Sequence, residues 1–172
     1  MGQSSYKELI VWQKSMVFAD EVIQLIDEME TPRKHYRLFE QLESAVTSIP
    51  MNIAEGKGRE SRKEFVRFLF IARGSIYETL TLLEIFLRQG WITQEKFSEL
   101  ETSSIEIIRM LKGLINSINK SWKAQAESLK QKILNYFLSA FNFQLSANTL
   151  SAFNFQLSAI IKPNLWQIPP KL

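Results

Sequence analysis

Cysteine is absent from all 172 residues, which excludes disulfides and thiolate metal sites and suits a reducing compartment. A cytoplasmic location is the expectation. Histidine occurs once, as His35 between Lys34 and Tyr36. One imidazole without thiolates needs several carboxylates to hold zinc. Asp20, Asp27 and Glu28 fall instead on the solvent arc of the first predicted helix. The Glu-x-x-His pairs of a di-iron bundle are missing. Gly56-Lys57-Gly58 lacks the G-x-x-x-x-G-K-[ST] spacing of a phosphate loop, and no serine stands in a nucleophile elbow. No catalytic residue, metal or cofactor is expected, and the chain is expected not to be an enzyme. No apolar run reaches the roughly 18 residues of a membrane span, so no membrane partner is expected. Met1 to Lys14 lacks the apolar core of a signal peptide and carries Lys7, Glu8 and Lys14.

Hydrophobic residues make up 45% of the chain, enough for one domain with a real core. The net charge of +3 hides an asymmetry. Residues 1–119 hold 15 basic against 17 acidic side chains, and residues 120–172 hold 6 against 1. Within the first part, residues 57–73 concentrate Lys57, Arg59, Arg62, Lys63, Arg67 and Arg73 against Glu60 and Glu64.

Apolar periodicity predicts an all-α protein, an antiparallel up-down four-helix bundle over residues 1–119 with a repeat-containing extension over 120–172. The predicted helices cover 6–29, 33–55, 61–89 and 93–119. In the first, Leu9, Trp12, Met16, Ala19, Ile23 and Ile26 form a heptad-like seam, with a second stripe of Val11, Phe18, Val22, Leu25 and Met29 beside it. Together they span roughly 180°, against the 100° or so that one partner face needs. Either the helix meets another subunit through Val11, Phe18 and Leu25, or it is deeply buried in a tight monomer.

Thr31-Pro32 separates the first two helices and suits a cap and a first turn. Pro50, inside the second pattern, predicts a kink near Val46 to Pro50 or a break, with Thr47 and Ser48 available to the freed carbonyls. Gly56 and Gly58 are expected to end that helix, and as glycines they allow positive φ there. Ser61 with Glu64 has capping-box spacing, Gly90 suits a C-cap, and Thr93 caps the fourth helix with Ile92 and Phe97 as its staple. On the third helix Phe65, Phe68, Leu69, Ala72, Ile76, Leu80, Leu83 and Leu87 mark the core face, widened by Ile71, Leu82 and Phe86, while Phe70 and Tyr77 fall opposite, with Lys63 and Arg88.

Beyond Lys120, Trp122, Ala126, Leu129, Ile133 and Tyr136 keep a helical period, which predicts a helical extension. Then LSAFNFQLSA, residues 138–147, recurs unchanged as residues 150–159. Two copies are too few for a solenoid. The alternation of Phe141, Phe143 and Leu145 with Asn142, Gln144 and Ser146 has strand periodicity and, where exposed, aggregation potential. An exact repeat of this kind suggests a recent duplication of coding DNA.

Residues 6–16, YKELIVWQKSM, resemble the opening of the four-helix-bundle proteins encoded in intervening sequences of bacterial large-subunit (23S) ribosomal RNA genes. Ser48 to Gly56, SIPMNIAEG, with Lys63 to Leu69, KEFVRFL, resembles that family's central signature, and Ile71 to Glu78, IARGSIYE, continues it. The resemblance covers about residues 5–119 and not the extension. His35-Tyr36-Arg37-Leu38 departs from the family's Tyr-Gly-Leu at that turn. The family is similar in fold to the accessory variability protein of diversity-generating retroelements, a homopentameric barrel that binds nucleic acid and the reverse transcriptase. The resemblance therefore implies the bundle and a pentamer, and no established biochemical activity.

Nucleic-acid binding through Lys57, Arg59, Arg62, Lys63, Arg67 and Arg73 is the sharper functional expectation. These bases gather at a helix start, where backbone N–H groups favour phosphate, and Phe70 and Tyr77 offer stacking surfaces. The competing reading pairs Glu60 and Glu64 with the bases and buries Phe70 and Tyr77 against a neighbouring subunit. Self-association rests on the helix-one arc and on outward Phe70, Tyr77 and Ile85. The alternative function is a structural or adaptor oligomer that binds a protein such as a polymerase, without a direct nucleic-acid role.

Overall fold

The computed structural model describes residues 5–29 and 35–140. Among the described residues there are four α-helices and no strand: α1 (Ile10–Glu28), α2 (Tyr36–Gly58), α3 (Arg62–Arg88) and α4 (Gln94–Ala140). The Thr31-Pro32 cap and residues 141–172, which hold most of the repeat, lie outside them. The chain divides into two compact units, residues 1–122 and 123–172, and α4 runs through the boundary.

A single 3₁₀ turn (Tyr6–Glu8) precedes α1. Its Ser5 hydroxyl accepts from the Lys7 N–H, and the Gln13 amide donates to the Lys7 carbonyl at 2.8 Å, fastening the turn to α1. The first unit is then built on one apolar core to which all four helices contribute, from Val11 on α1 to Ile115 on α4.

The buried line of α1 is Val11, Ser15, Phe18, Val22 and Leu25, with Ala19 beside it. The expected seam through Leu9, Trp12, Ile23 and Ile26 is only half-buried. Ser15 is completely buried because its hydroxyl donates to the Trp12 carbonyl at 2.7 Å, satisfying itself within the helix. Thr79 on α3 and Ser104 on α4 do the same, to Ser75 and Glu101 carbonyls. These small residues fit seams that a periodicity search for apolar side chains passes over.

Pro50 does not break α2, which runs on for two further turns. Thr47 donates to the carbonyls of Glu43 and Ser44 rather than to that of Val46, which loses its usual donor at Pro50. Gly56 lies inside the helix and neither it nor Gly58 takes positive φ; only Gly90 does, at 70°, among the described residues. Gly56 instead permits close approach: a Cβ there would stand 2.5 Å from the Phe68 Cβ.

Contacts along α2 and α3 run in opposite order. Phe39 meets Phe86, Ser48 meets Ser75, and Gly56 meets Phe68. At the closed end, Gly90 donates to the Leu87 carbonyl and Trp91 to that of Phe86, both at 2.9 Å, the paired bonds of a Schellman motif. Trp91 then packs on Phe86, Phe39 and the lone His35. The Thr93 cap is present, its hydroxyl accepting from Lys96 N–H at 3.2 Å, with Ile92 and Phe97 buried. Ile71, placed on the core face of the third helix by periodicity, is exposed, whereas Ile85, expected to point outward, is partly buried against the core.

Candidate nucleic-acid interface

Only Arg59, Glu60 and Ser61 separate α2 from α3. The Arg59 N–H closes α2 by donating to the Gly56 carbonyl at 3.2 Å. The Ser61 hydroxyl then accepts from the Glu64 N–H at 3.4 Å and opens α3. This tight joint, held at its inner side by the Gly56–Phe68 contact, fixes where the six bases stand.

They do not form one patch of equivalent charges. Lys57 is half-buried at the end of α2, its ammonium 5.9 Å from the centre of the Phe65 ring. Arg59 stacks at 5.2 Å over Phe68 and is ion-paired with Glu55 one turn back. Arg73 lies 4.9 Å over Phe70. These three spread their charge over aromatic faces, which anchors the side chains at their stems. Arg62 is exposed at the first position of α3. Lys63 and Arg67 are exposed and form no ion pair among the described residues. The expected neutralisation of these two by Glu60 and Glu64 is therefore missing.

Lys63, Arg67, Phe70, Gly74 and Tyr77 follow one another at spacings of four, three, four and three along the outward side of α3. Phe70 is 43% and Tyr77 52% exposed, so both expectations of outward aromatics on this helix hold for the single chain. Gly74 makes a flat place between the two rings, with open space where its Cβ would be. Periodicity alone places Lys63, Phe70 and Tyr77 on this side of α3; the structure adds Arg67 and Gly74 between them. Ile71 and Met51 are further exposed apolar side chains on α3 and α2, and composition alone did not single them out.

The other expected interface positions are elsewhere. Val11, Phe18 and Leu25 are buried in the core of the chain itself. Their surface is used within one subunit, because the second stripe of α1, not the first, faces its own partners. The outward apolar residues of α1 are Ile10 and Val17. They line, with Phe18 and Ile107, a groove of ≈ 310 Å³ between α1 and α4. The Lys14–Glu106 ion pair joins the two helices there at 2.9 Å.

Among the described residues, no group of three or more His, Asp and Glu side chains is placed to hold a metal ion. No helix among them is long and apolar enough to cross a membrane. The arrangement offers cations, aromatic faces and helix N–H groups, which is recognition chemistry.

A comparison with curated proteins gave no match. Among solved structures, the chain is similar to a crystal structure from Bacteroides thetaiotaomicron VPI-5482, a protein with unknown function from the S23 ribosomal protein family. The two share 31% identity over 62% of this chain and 98% of that one, with a TM-score of 0.58. Residues 7–113 match the 23S rRNA-intervening sequence protein family, a span that holds the joint, the basic residues and the ridge. The chain belongs to the 23S rRNA-intervening sequence protein family.

Proposed function

We propose that this chain is a non-enzymatic, cytoplasmic protein, an antiparallel up-down bundle that assembles with copies of itself and binds the phosphate backbone of nucleic acid. One observation carries the reading: Lys63 and Arg67 stand exposed on one face of α3, and neither has a carboxylate partner among the described residues. Unneutralised cations on a rigid helix attract phosphate at long range, and each contact releases a counterion. Arg62 at the helix start adds to the attraction. Lys57, Arg59 and Arg73 contribute mainly to the field, since each is already laid over a ring. Binding of this kind reads backbone rather than sequence.

Self-assembly is part of the proposal, with five subunits as the number that the resemblance to the retroelement accessory protein suggests. What supports it is the outward Phe70–Gly74–Tyr77 ridge together with the α1/α4 groove and its exposed Ile10 and Val17. A ridge and a separate groove on one chain suit head-to-tail contacts, which form rings when the rotation between copies closes. A ring repeats the cationic face and turns a weak site into a useful one by avidity. A second reading, an adaptor that binds a protein such as a polymerase, is favoured by the exposed Met51 and Ile71.

The test is a mobility-shift titration of the full chain with single-stranded RNA and DNA at low and high salt. Wild type is expected to bind, with log affinity falling steeply against log salt. Lys63→Glu with Arg67→Glu is expected to abolish most of the shift. Equal shifts for wild type and double variant would refute the phosphate reading, and no shift with retained capture of a protein partner would favour the adaptor.

A further inference from the structure

The second unit shows a feature that the phosphate site does not use. Within residues 123–140, α4 exposes Leu129 at 60%, Ile133 at 41% and Tyr136 at 71%. With Ala126 they recur at spacings of three, four and three, on one side of the helix. Leu134 is buried, so the helix also has a covered side. Exposed Phe137, at 45%, lies beside Ala126, so at 100° per residue the exposed stripe is roughly 100° wide. Lys132 stands about 40° beyond one edge of it and Lys130 about 20° beyond the other, with Lys123 close to Lys130. Lys130 is half-buried, with 27% of its side chain exposed, and is tied at 3.0 Å to the exposed Glu127, so Lys123 and Lys132 are the exposed cations beside the stripe.

We propose that this face of α4 is a docking surface for an anionic lipid bilayer, on which the helix lies in the headgroup plane without crossing it. The stripe is too narrow and short to span, and interfacial helices need neither length nor high mean hydropathy. Their pattern is an apolar strip with aromatic rings, flanked by lysines whose stems reach back along the strip while the ammonium groups stay at headgroup level. Charge favours this occupant: residues 123–140 carry Lys123, Lys130 and Lys132 against Glu127 alone, whereas residues 1–119 are slightly acidic. Each lysine near such a surface strengthens attachment about fivefold. A second copy fits less well. Residues 126–136 supply fewer than two heptads, where a coiled coil needs about three or four, and the flanking lysines would face lysines.

The test uses the full chain with sucrose-loaded vesicles of mixed phosphatidylcholine and phosphatidylglycerol, and with phosphatidylcholine alone. Wild type is expected to sediment with the anionic vesicles only, and less so at high salt. Leu129→Glu with Ile133→Glu is expected to weaken this at least about tenfold, and Lys132→Gln about fivefold. Both sites are exposed, and an unchanged circular dichroism melt checks that the variants fold. Lys63→Glu with Arg67→Glu is expected to leave vesicle binding in place, which separates this site from the phosphate site. No sedimentation with anionic vesicles would overturn the proposal. So would sedimentation that the Lys63/Arg67 variant loses and the Leu129/Ile133 variant keeps. A lipid-free self-association or capture of an acidic helix abolished by Leu129→Glu, with no vesicle binding, would likewise overturn it and assign the face to a protein.

Discussion

Gly56 on α2 faces Phe68 on α3 so closely that a methyl group on the glycine would stand 2.5 Å from the Phe68 Cβ and 3.0 Å from a ring carbon of Phe65. No side chain fits there without movement of one helix. Replacing a helical glycine by alanine ordinarily stabilises by about 0.5–1 kcal/mol, while forcing a methyl group into a packed contact costs about 1–3 kcal/mol. At Gly56 the second effect wins. Gly56→Ala is expected to lower stability by about 1–2 kcal/mol in thermal or denaturant melts. Gly58, with open space around its Cα, is the control, and Gly58→Ala is expected to raise stability by up to about 1 kcal/mol.

Gly90 is the reverse case, with space for a side chain but a φ of 70°. Gly90→Ala is expected to cost about 1–2 kcal/mol through backbone strain alone. Gly90→Asn is expected to recover part of that, since asparagine tolerates this conformation. Denaturant titration of the two variants checks the order.

Phe18 and Phe70 separate the core from the proposed subunit interface. Phe18→Ala is expected to lose about 3–5 kcal/mol, because the ring is fully buried. The loss should not depend on protein concentration. Phe70→Ala and Tyr77→Ala are expected to leave the chain's own fold nearly unchanged and to reduce the particle mass seen by light scattering. A wild-type mass of one chain at micromolar concentration would refute the proposed assembly.

Gly74→Ala gives an independent check of the ridge. In the free chain it fills open space in a helix and is expected to stabilise by about 0.5–1 kcal/mol. If the flat place between Phe70 and Tyr77 meets a neighbouring subunit, the same change weakens assembly. A higher melting temperature with a lower particle mass is the expected pair of results.

The salt dependence of the proposed nucleic-acid binding carries a number. Removing two phosphate contacts, as in Lys63→Gln with Arg67→Gln, is expected to make the log–log salt slope shallower by about 1.4 for single strands and 1.8 for duplexes. An unchanged slope would place binding on other cations.

Much of this protein is legible without coordinates, since helix starts and stops are local chemistry. Ser61 and Thr93 cap the helices that follow them, and Gly90 closes α3, as their spacing implies. The basic residues and outward aromatics at the α2–α3 joint are readable too, because periodicity puts Lys63, Phe70 and Tyr77 on one side. The length of α4 past Lys120 follows from the same period.

Tertiary structure decided what periodicity leaves degenerate. Both stripes of α1 satisfy a 3.6-residue repeat, and only packing against the other helices selects Val11, Ser15, Phe18, Val22 and Leu25 as the buried line. Ser15 enters it because a hydroxyl bonded to its own helix is small and satisfied, which no hydropathy scale registers. Gly56 reads in sequence as a helix terminator, yet what it supplies is room for Phe68, a residue on another helix. Whether Lys63 and Arg67 are neutralised is likewise a matter of where Glu60 and Glu64 point. The sequence by itself determined the four helices and the caps at Ser61, Gly90 and Thr93 through interactions spanning a few residues. Closeness between residues far apart in the chain decided which faces are core, which are free, and where unpaired charge stands.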